Sequence, residues 1–265
     1  MRDVKKLKRY QYERYAVLCN LAYSEQFSQS RYAFALQGHR IVKNRWGKNM
    51  IRVLWSQHKQ EVIVVIKGSH SVTDWLLNFF LWPCRCLDHG SDYHIHAGFY
   101  RLLRQESRPS SNEEALGLSV HERLFAILIP LIQEGKRVSF TGHSSGGAIA
   151  LVMADWLERL HPGAIKRVVT FGQPAIGCKN FERRYTLSRC TYRICCDLDA
   201  VTFMPPIPLL YWHVGRMLWL YNGRIYENVS TPNRLWRSIL SWILRPFSYH
   251  FMSKYIRNKD FFDER

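Results

Sequence analysis

The residues Gly142-His143-Ser144-Ser145-Gly146 satisfy the spacing G-x-S-x-G. They follow the run "RVSFT" and lead into the apolar-periodic "GAIALVMADWL", so the pattern predicts a strand, a tight corner and a helix. A serine at such a corner stands clear of both elements, which makes Ser144 the candidate nucleophile of an acyl-transfer reaction. The glycines two positions either way have a steric reason, since larger side chains there would collide with the strand or the helix. The competing reading is a glycine-rich helix start at which both serines only cap backbone amides.

A serine hydroxyl attacks a carbonyl when a base takes its proton, and the base needs a carboxylate to hold its tautomer and balance its charge. In the chain order serine, acid, histidine, two histidines lie beyond both the serine and the acid candidates: His213 and His250. Asp199 follows the strand-like "TYRICC" and precedes the Pro-bearing "VTFMPP", the place where a parallel sheet delivers side chains to its C-terminal edge. Asp197 stands two residues earlier with similar chemistry. Asp155 and Glu158 fall inside the helix after Ser144 and are expected to point to solvent.

These groups need a frame. The spacing of Tyr12, Tyr15, Ala16, Cys19 and Ala22 predicts a helix over 9–24. "MIRVLWSQ" and "EVIVVIKG" read as a hairpin whose second strand is buried on both faces. A helix from Glu113 to Gly135, the strand "RVSFTG", a helix from Gly146 to His161 and the strand "AIKRVVTFG" follow. That alternation predicts an α/β protein with a mostly parallel sheet flanked by helices. Nothing resembles a linker, so residues 1–265 are expected to form a single domain.

Beyond about position 50 the chain resembles the class 3 lipase family. "VVIKGSHSVTDWLLN" is similar to the family's oxyanion segment, "IHAGFY" to its His-x-Gly-Phe element and "FTGHSSGGAIALVMA" to its nucleophile corner. "VVTFGQPAIGCKNF" resembles the strand and turn that follow, "DLDAVTFMPP" the acid loop, "WHVGRMLWL" the His-Val-Gly element, and "HFMSKYI" the C-terminal histidine with a tyrosine five residues on. The resemblance implies an α/β-hydrolase fold with Ser144 as nucleophile, Asp199 as acid and His250 as base. His213 is structural on this reading, and the backbone N–H groups of Ser69 and Ser145 form the oxyanion hole. It also implies a lid, here about 76–96. The sequence departs from the family at Lys67, where Arg is usual, at Ser145, where a hydrophobic residue is common, and at Thr202, where Pro is common.

The formal net charge is +17. Such a balance concentrates a protein at any anionic surface. No RNP-type aromatic motif, zinc-finger spacing or phosphate loop accompanies it, so nucleic acid is not the expected partner. No metal or organic cofactor is implied, because side chains and water complete the chemistry. Seven cysteines, an odd number with adjacent and one-apart pairs, suit neither a disulfide framework nor a metal site.

Residues 76–83 are rich in Leu, Phe and Trp, and 233–247 carry a Trp-rich stripe flanked by arginines. Each reads either as a membrane-contacting element or as core packing. With the positive charge they point to a phospholipase of A type acting on anionic glycerophospholipid at a membrane. A neutral acylglycerol lipase or carboxylesterase is the alternative within the same chemistry. A catalytically idle lipid- or partner-binding module is the alternative of another class. The N-terminus has a basic start without an apolar core and cleavage site, and no apolar run is long enough to span a bilayer. A cytoplasmic or peripheral-membrane location is therefore expected, with leaderless export, for example as an effector, as the other route.

Overall fold

Strand β3 (Glu61–Ile66) reads EVIVVI, and five of its six residues are buried. Val62, Val64 and Ile66 join one hydrophobic cluster and Ile63 and Val65 another, so the strand is covered on both faces, as its unbroken β-branched run requires. The computed structural model describes residues 7–24, 38–56, 60–68, 82–109, 117–207, 209–230, 232–234, 236 and 249–262.

Around β3 the described strands are β1 (Gly38–Lys43), β2 (Asn49–Trp55), β4 (Pro83–Cys86), β5 (Tyr93–His96), β6 (Arg137–His143), β7 (Ile165–Phe171), β8 (Thr191–Cys196), β9 (Arg216–Tyr221) and β10 (Arg224–Glu227). Eight of them form one sheet in the order β1-β2-β3-β6-β7-β8-β9-β10. β3, β6, β7, β8 and β9 run parallel, while β1, β2 and β10 are antiparallel additions at the two edges. The expected hairpin is the β2–β3 pair, with Ile51 opposite Ile66.

Helices cover both faces of this sheet. On one lie α2 (Ala97–Arg104), α3 (Val120–Gln133), α4 (Ser145–Leu160) and α5 (Lys179–Arg184), which supply Phe99, Leu124, Leu128, Leu151, Trp156 and Phe181 to the larger core. On the other lie α1 (Arg9–Leu21) and α6 (Met252–Arg257), with Tyr12, Leu18, Met252 and Tyr255 in the second core. A mostly parallel sheet flanked by helices is the α/β-hydrolase architecture expected from the sequence.

Two expectations change in detail. Helix α3 starts at Val120 rather than Glu113, because Ser119 and Glu122 form a reciprocal capping box that begins the helix there. Residues 110–116 lie outside the described residues. Asp155 is fully buried instead of facing solvent: its Oδ2 accepts from the Tyr93 hydroxyl at 2.7 Å and from Arg159 Nε at 2.8 Å. In the span expected to form a lid, 76–81 lie outside the described residues. The part from β4 to β5 is a two-stranded ribbon whose Cys86, Tyr93 and Ile95 are buried in the larger core. Of the arginine-flanked stripe at 233–247, only 233, 234 and 236 are described; Arg234 is buried and Trp236 exposed.

The parallel strands all end at one edge. Gly68 after β3, Ser144 after β6, Gly172 after β7 and the Asp197–Asp199 turn after β8 stand there side by side, where an α/β sheet places its ligand crevice.

Candidate active site

Ser144 occupies the corner between β6 and α4 with φ 57° and ψ −131°, a left-handed conformation that a non-glycine residue adopts only under surrounding constraint. The constraint is visible. Its N–H donates to Phe171 O at 2.9 Å, and its carbonyl accepts from Gly147 N at 3.0 Å. A Cβ on Gly142 would come within 2.4 Å of the Gly146 backbone, and one on Gly146 within 2.3 Å of Ile66 O, so only glycine admits the turn. The Ser144 side chain makes no capping hydrogen bond to α4, which removes the competing reading for this serine. Ser145 is the first residue of α4, where helix geometry presents the backbone N–H at the helix N-terminus.

The structure brings Asp199 and His250 together. His250 Nδ1 lies 2.9 Å from Asp199 Oδ2 and 3.0 Å from Oδ1. The same carboxylate accepts the Tyr255 hydroxyl at 2.5 Å and the Val201 N–H at 3.0 Å. Burial alone would raise the Asp199 pKa, but the His250 imidazole and the hydrogen bonds from His250 and Tyr255 outweigh it and hold the carboxyl below its ordinary value. With a carboxylate at Nδ1, that nitrogen carries the proton and Nε2 is the basic one. His250 Nε2 is buried without a hydrogen-bond partner among the described residues.

Two glycines make the close approach possible. Gly172, at φ +56°, would place a Cβ 2.6 Å from Asp199 Oδ2 and 3.1 Å from His250 Cε1. Gly68 would place one 3.2 Å from Ser144 Cβ and 2.5 Å from His143 O. The strand end that precedes Ser69 therefore lies against the nucleophile corner. Ser69 itself lies outside the described residues.

The two alternatives left by the residue pattern go elsewhere. His213 directs Nε2 to the carbonyl of Thr202 at 3.0 Å and meets neither aspartate. Because a carbonyl only accepts, Nε2 carries the proton, and burial together with the positive charge of Arg193 pushes the His213 pKa well down. Asp197, at φ 42°, has no histidine partner among the described residues; its carbonyl accepts from Trp219 Nε1 at 2.6 Å.

Sequence reasoning missed the support of the histidine. His143, the variable residue of G-x-S-x-G, lies between Tyr23 and His250, with Nδ1 3.0 Å from the Tyr23 hydroxyl and Nε2 2.7 Å from the His250 carbonyl oxygen. The carbonyl fixes the tautomer: Nε2–H donates to it, and Nδ1 accepts from Tyr23. Burial, then the neighbouring His250, lowers the His143 pKa to about 3, so the ring stays neutral. Its ring centroid lies 4.5 Å from that of His250, with the two planes at 31°. The periodicity of α1 marks Tyr23 only as a residue near a helix end. Tyr255 is visible in sequence as a tyrosine five places after His250, but its contact with Asp199 is not.

Residues 63–209, more than half of the chain, match the family model described as Lipase (class 3). A secreted mono- and diacylglycerol lipase 1 of Fusarium solani is 27% identical over 173 residues, covering 65% of this chain and 47% of that protein. A chloroplastic phospholipase A1, PLIP1, of Arabidopsis thaliana is 34% identical over 119 residues, covering 43% of this chain and 16% of that protein. These matches span about half of such curated relatives or less. The solved structure of Rhizomucor miehei triacylglyceride lipase superposes with a TM-score of 0.63 at 21% identity, covering 79% of each chain. At that identity the likeness speaks for the fold.

Proposed function

This chain belongs to the class 3 lipase family, and on that premise we propose that it hydrolyses carboxylic esters of lipids through Ser144, His250 and Asp199. The observation that carries the reading is the buried His250, held by Asp199 at Nδ1 with Nε2 unpartnered among the described residues, at the same sheet edge as a strained serine. In this reading Nε2 takes the Ser144 proton as Oγ attacks the ester carbonyl, and Asp199 balances the imidazolium. The amides of Ser145 and Ser69 receive the charge on the tetrahedral oxygen; losing one such donor costs about 3 kcal/mol of transition-state stabilisation. His250 then protonates the departing glyceryl oxygen. Water, deprotonated by the same nitrogen, clears the acyl-serine.

The substrate we favour is an anionic glycerophospholipid, with the chain acting as a phospholipase of A type at a membrane surface. The net charge of +17 supports an anionic interface. Trp82, Leu209 and Phe251, exposed by 71%, 84% and 64%, support contact with an apolar phase; Phe251 follows His250 directly, and Trp82 lies within the expected lid and leads into β4. No helix among the described residues is long and apolar enough to cross a membrane, and a peripheral association fits this surface. The Fusarium relative's name keeps mono- and diacylglycerol as the second reading.

Two measurements test the proposal. A fluorophosphonate should label the wild type and fail on Ser144→Ala. Fatty-acid release should be faster from phosphatidylglycerol vesicles than from emulsified triacylglycerol; the reverse ranking would turn the assignment to neutral acylglycerols, and no release from either would sink the hydrolase reading.

A further inference from the structure

The turn between β1 and β2, residues 44–48, carries the sequence Asn-Arg-Trp-Gly-Lys. Trp46 is 63% exposed at its tip, with the Arg45 guanidinium 5.4 Å from the indole centroid. Arg45 and Lys48 are exposed beside it, and the exposed Arg108 lays its side chain against Gly47. The turn contains no carboxylate. Glu106, in the loop whose Ser107 hydroxyl bonds Lys43 O at 2.6 Å, lines a separate polar depression with Arg104, Ser119 and Glu122.

The backbone of the turn is closed on itself. Asn44 Oδ1 accepts from the N–H of Trp46 at 3.1 Å and of Lys48 at 3.0 Å, and Asn44 O accepts from the N–H of Gly47 at 2.9 Å. With the N–H groups of Trp46, Gly47 and Lys48 already paired, the tip can leave water with few stranded donors, which lowers the cost of approaching a lipid phase. Tryptophan settles at headgroup level, and flanking cations are drawn to acidic lipids.

Its position gives the tip a use. β2 runs antiparallel to β3, so the residues that begin β2 lie at the end of the sheet where β3 finishes; Lys67 N donates to Met50 O at 2.9 Å. From there Gly68 reaches the Ser144 corner. At the usual spacing of neighbouring strands the turn stands roughly 10–15 Å along the sheet edge from Ser144.

We propose that this turn anchors the protein to an anionic phospholipid bilayer, seating Trp46 among the headgroups and facing the Ser144 edge to the surface. The proposal rests on the lipid-interface reading above but concerns binding, which can be measured apart from hydrolysis.

The test uses the full chain carrying Ser144→Ala, so that vesicles stay intact, in cosedimentation with vesicles of phosphatidylglycerol and phosphatidylcholine in equal parts and with phosphatidylcholine alone. Adding Trp46→Ala should weaken binding to the mixed vesicles on the order of tenfold. Adding Arg45→Gln with Lys48→Gln should cost about fivefold per cation on the mixed vesicles and little on phosphatidylcholine. In the active background all three substitutions should leave turnover of a soluble short-chain ester and the melting temperature unchanged. Wild-type-like binding by these variants, or equal binding of the parent to both vesicles, would overturn the anchor. Trp46-dependent binding without any hydrolysis by the active enzyme would support the anchor and overturn the phospholipase reading, so the two fail separately.

Discussion

His143 Nε2 donates to the carbonyl oxygen of His250 across 2.7 Å, so the residue beside the candidate nucleophile holds the backbone of the candidate base. The link joins the β6 corner to the segment before α6 and does not depend on the Asp199 contact. Burial keeps the ring neutral, so Nδ1 accepts from Tyr23 while Nε2 donates to the carbonyl.

Replacing His143 by Phe keeps the ring volume and removes both hydrogen bonds. Each buried partner left unsatisfied costs about 1–3 kcal/mol. The expected result is a kcat on a soluble ester lowered by roughly ten- to a hundredfold with little change in KM, because His250 loses its register with Ser144 rather than the substrate losing contacts. Stopped-assay kinetics with fluorophosphonate labelling rates would measure it, and unchanged rates in a folded variant would remove the positioning role.

Ser144 and Ser145 should respond differently to truncation. Ser144→Ala removes the attacking oxygen, and turnover should fall by at least about a thousandfold. Ser145→Ala keeps the backbone N–H, so the rate should stay within about tenfold of wild type. A dead Ser145→Ala beside an active Ser144→Ala would reverse the assignment.

Tyr255→Phe keeps the edge contact with Phe171, 5.8 Å between centroids, and deletes the hydroxyl that supports Asp199. The Asp199 pKa is depressed in the folded state, so its contribution to stability is present above the unfolded carboxylate pKa and is lost as pH falls through the folded value. Removing a donor to the carboxylate shrinks that depression. The variant should therefore lose the Asp199 contribution at a higher pH than wild type, within the window below about pH 4 where aspartates titrate. Melting temperatures from about pH 2 to 7 would show it as an acid limb displaced upward, and coincident limbs would contradict the coupling.

Gly172→Ala tests the packing of the acid–base pair. The added Cβ would lie 2.6 Å from Asp199 Oδ2 and would have to adopt φ +56°. Strain and overpacking together predict a loss of about 2–4 kcal/mol in denaturant unfolding, with activity falling further than the folded fraction does.

Asp155→Ala should behave in the opposite manner. It leaves the Arg159 guanidinium and the buried Tyr93 hydroxyl without their common acceptor, a loss of about 3 kcal/mol. Since the cluster lies along α4 and not at its N-terminus, kcat of the folded enzyme should be unchanged. A lowered kcat at full folding would show that α4 transmits strain to Ser144.

Much of the frame was legible because period and composition act locally. The unbroken β-branched run of β3, the alternation of strands and helices, and the small residues around Ser144 each announce a neighbour-to-neighbour constraint. The start of α3 was misplaced because the apolar pattern says where a helix can run, while the Ser119–Glu122 pair decides where it begins. Asp155 was misread for a related reason. Its position inside α4 says nothing of Tyr93, 62 residues earlier, which makes burial of the carboxylate tolerable.

The sequence by itself determined the order of the parts: a serine at a strand–helix corner, a carboxylate after a later strand, and two histidines beyond it. Which histidine meets which aspartate was decided by tertiary structure. His250 and Asp199 are 51 residues apart, and Tyr23 and His143 are 120 apart. Such distances are closed only when parallel strands bring their ends to one edge and α1 and α6 pack on the same face beneath it. Spacing constrains a residue's neighbours along the chain; the environment that orients an imidazole, buries a carboxylate or lowers a pKa is assembled from segments that only packing brings together.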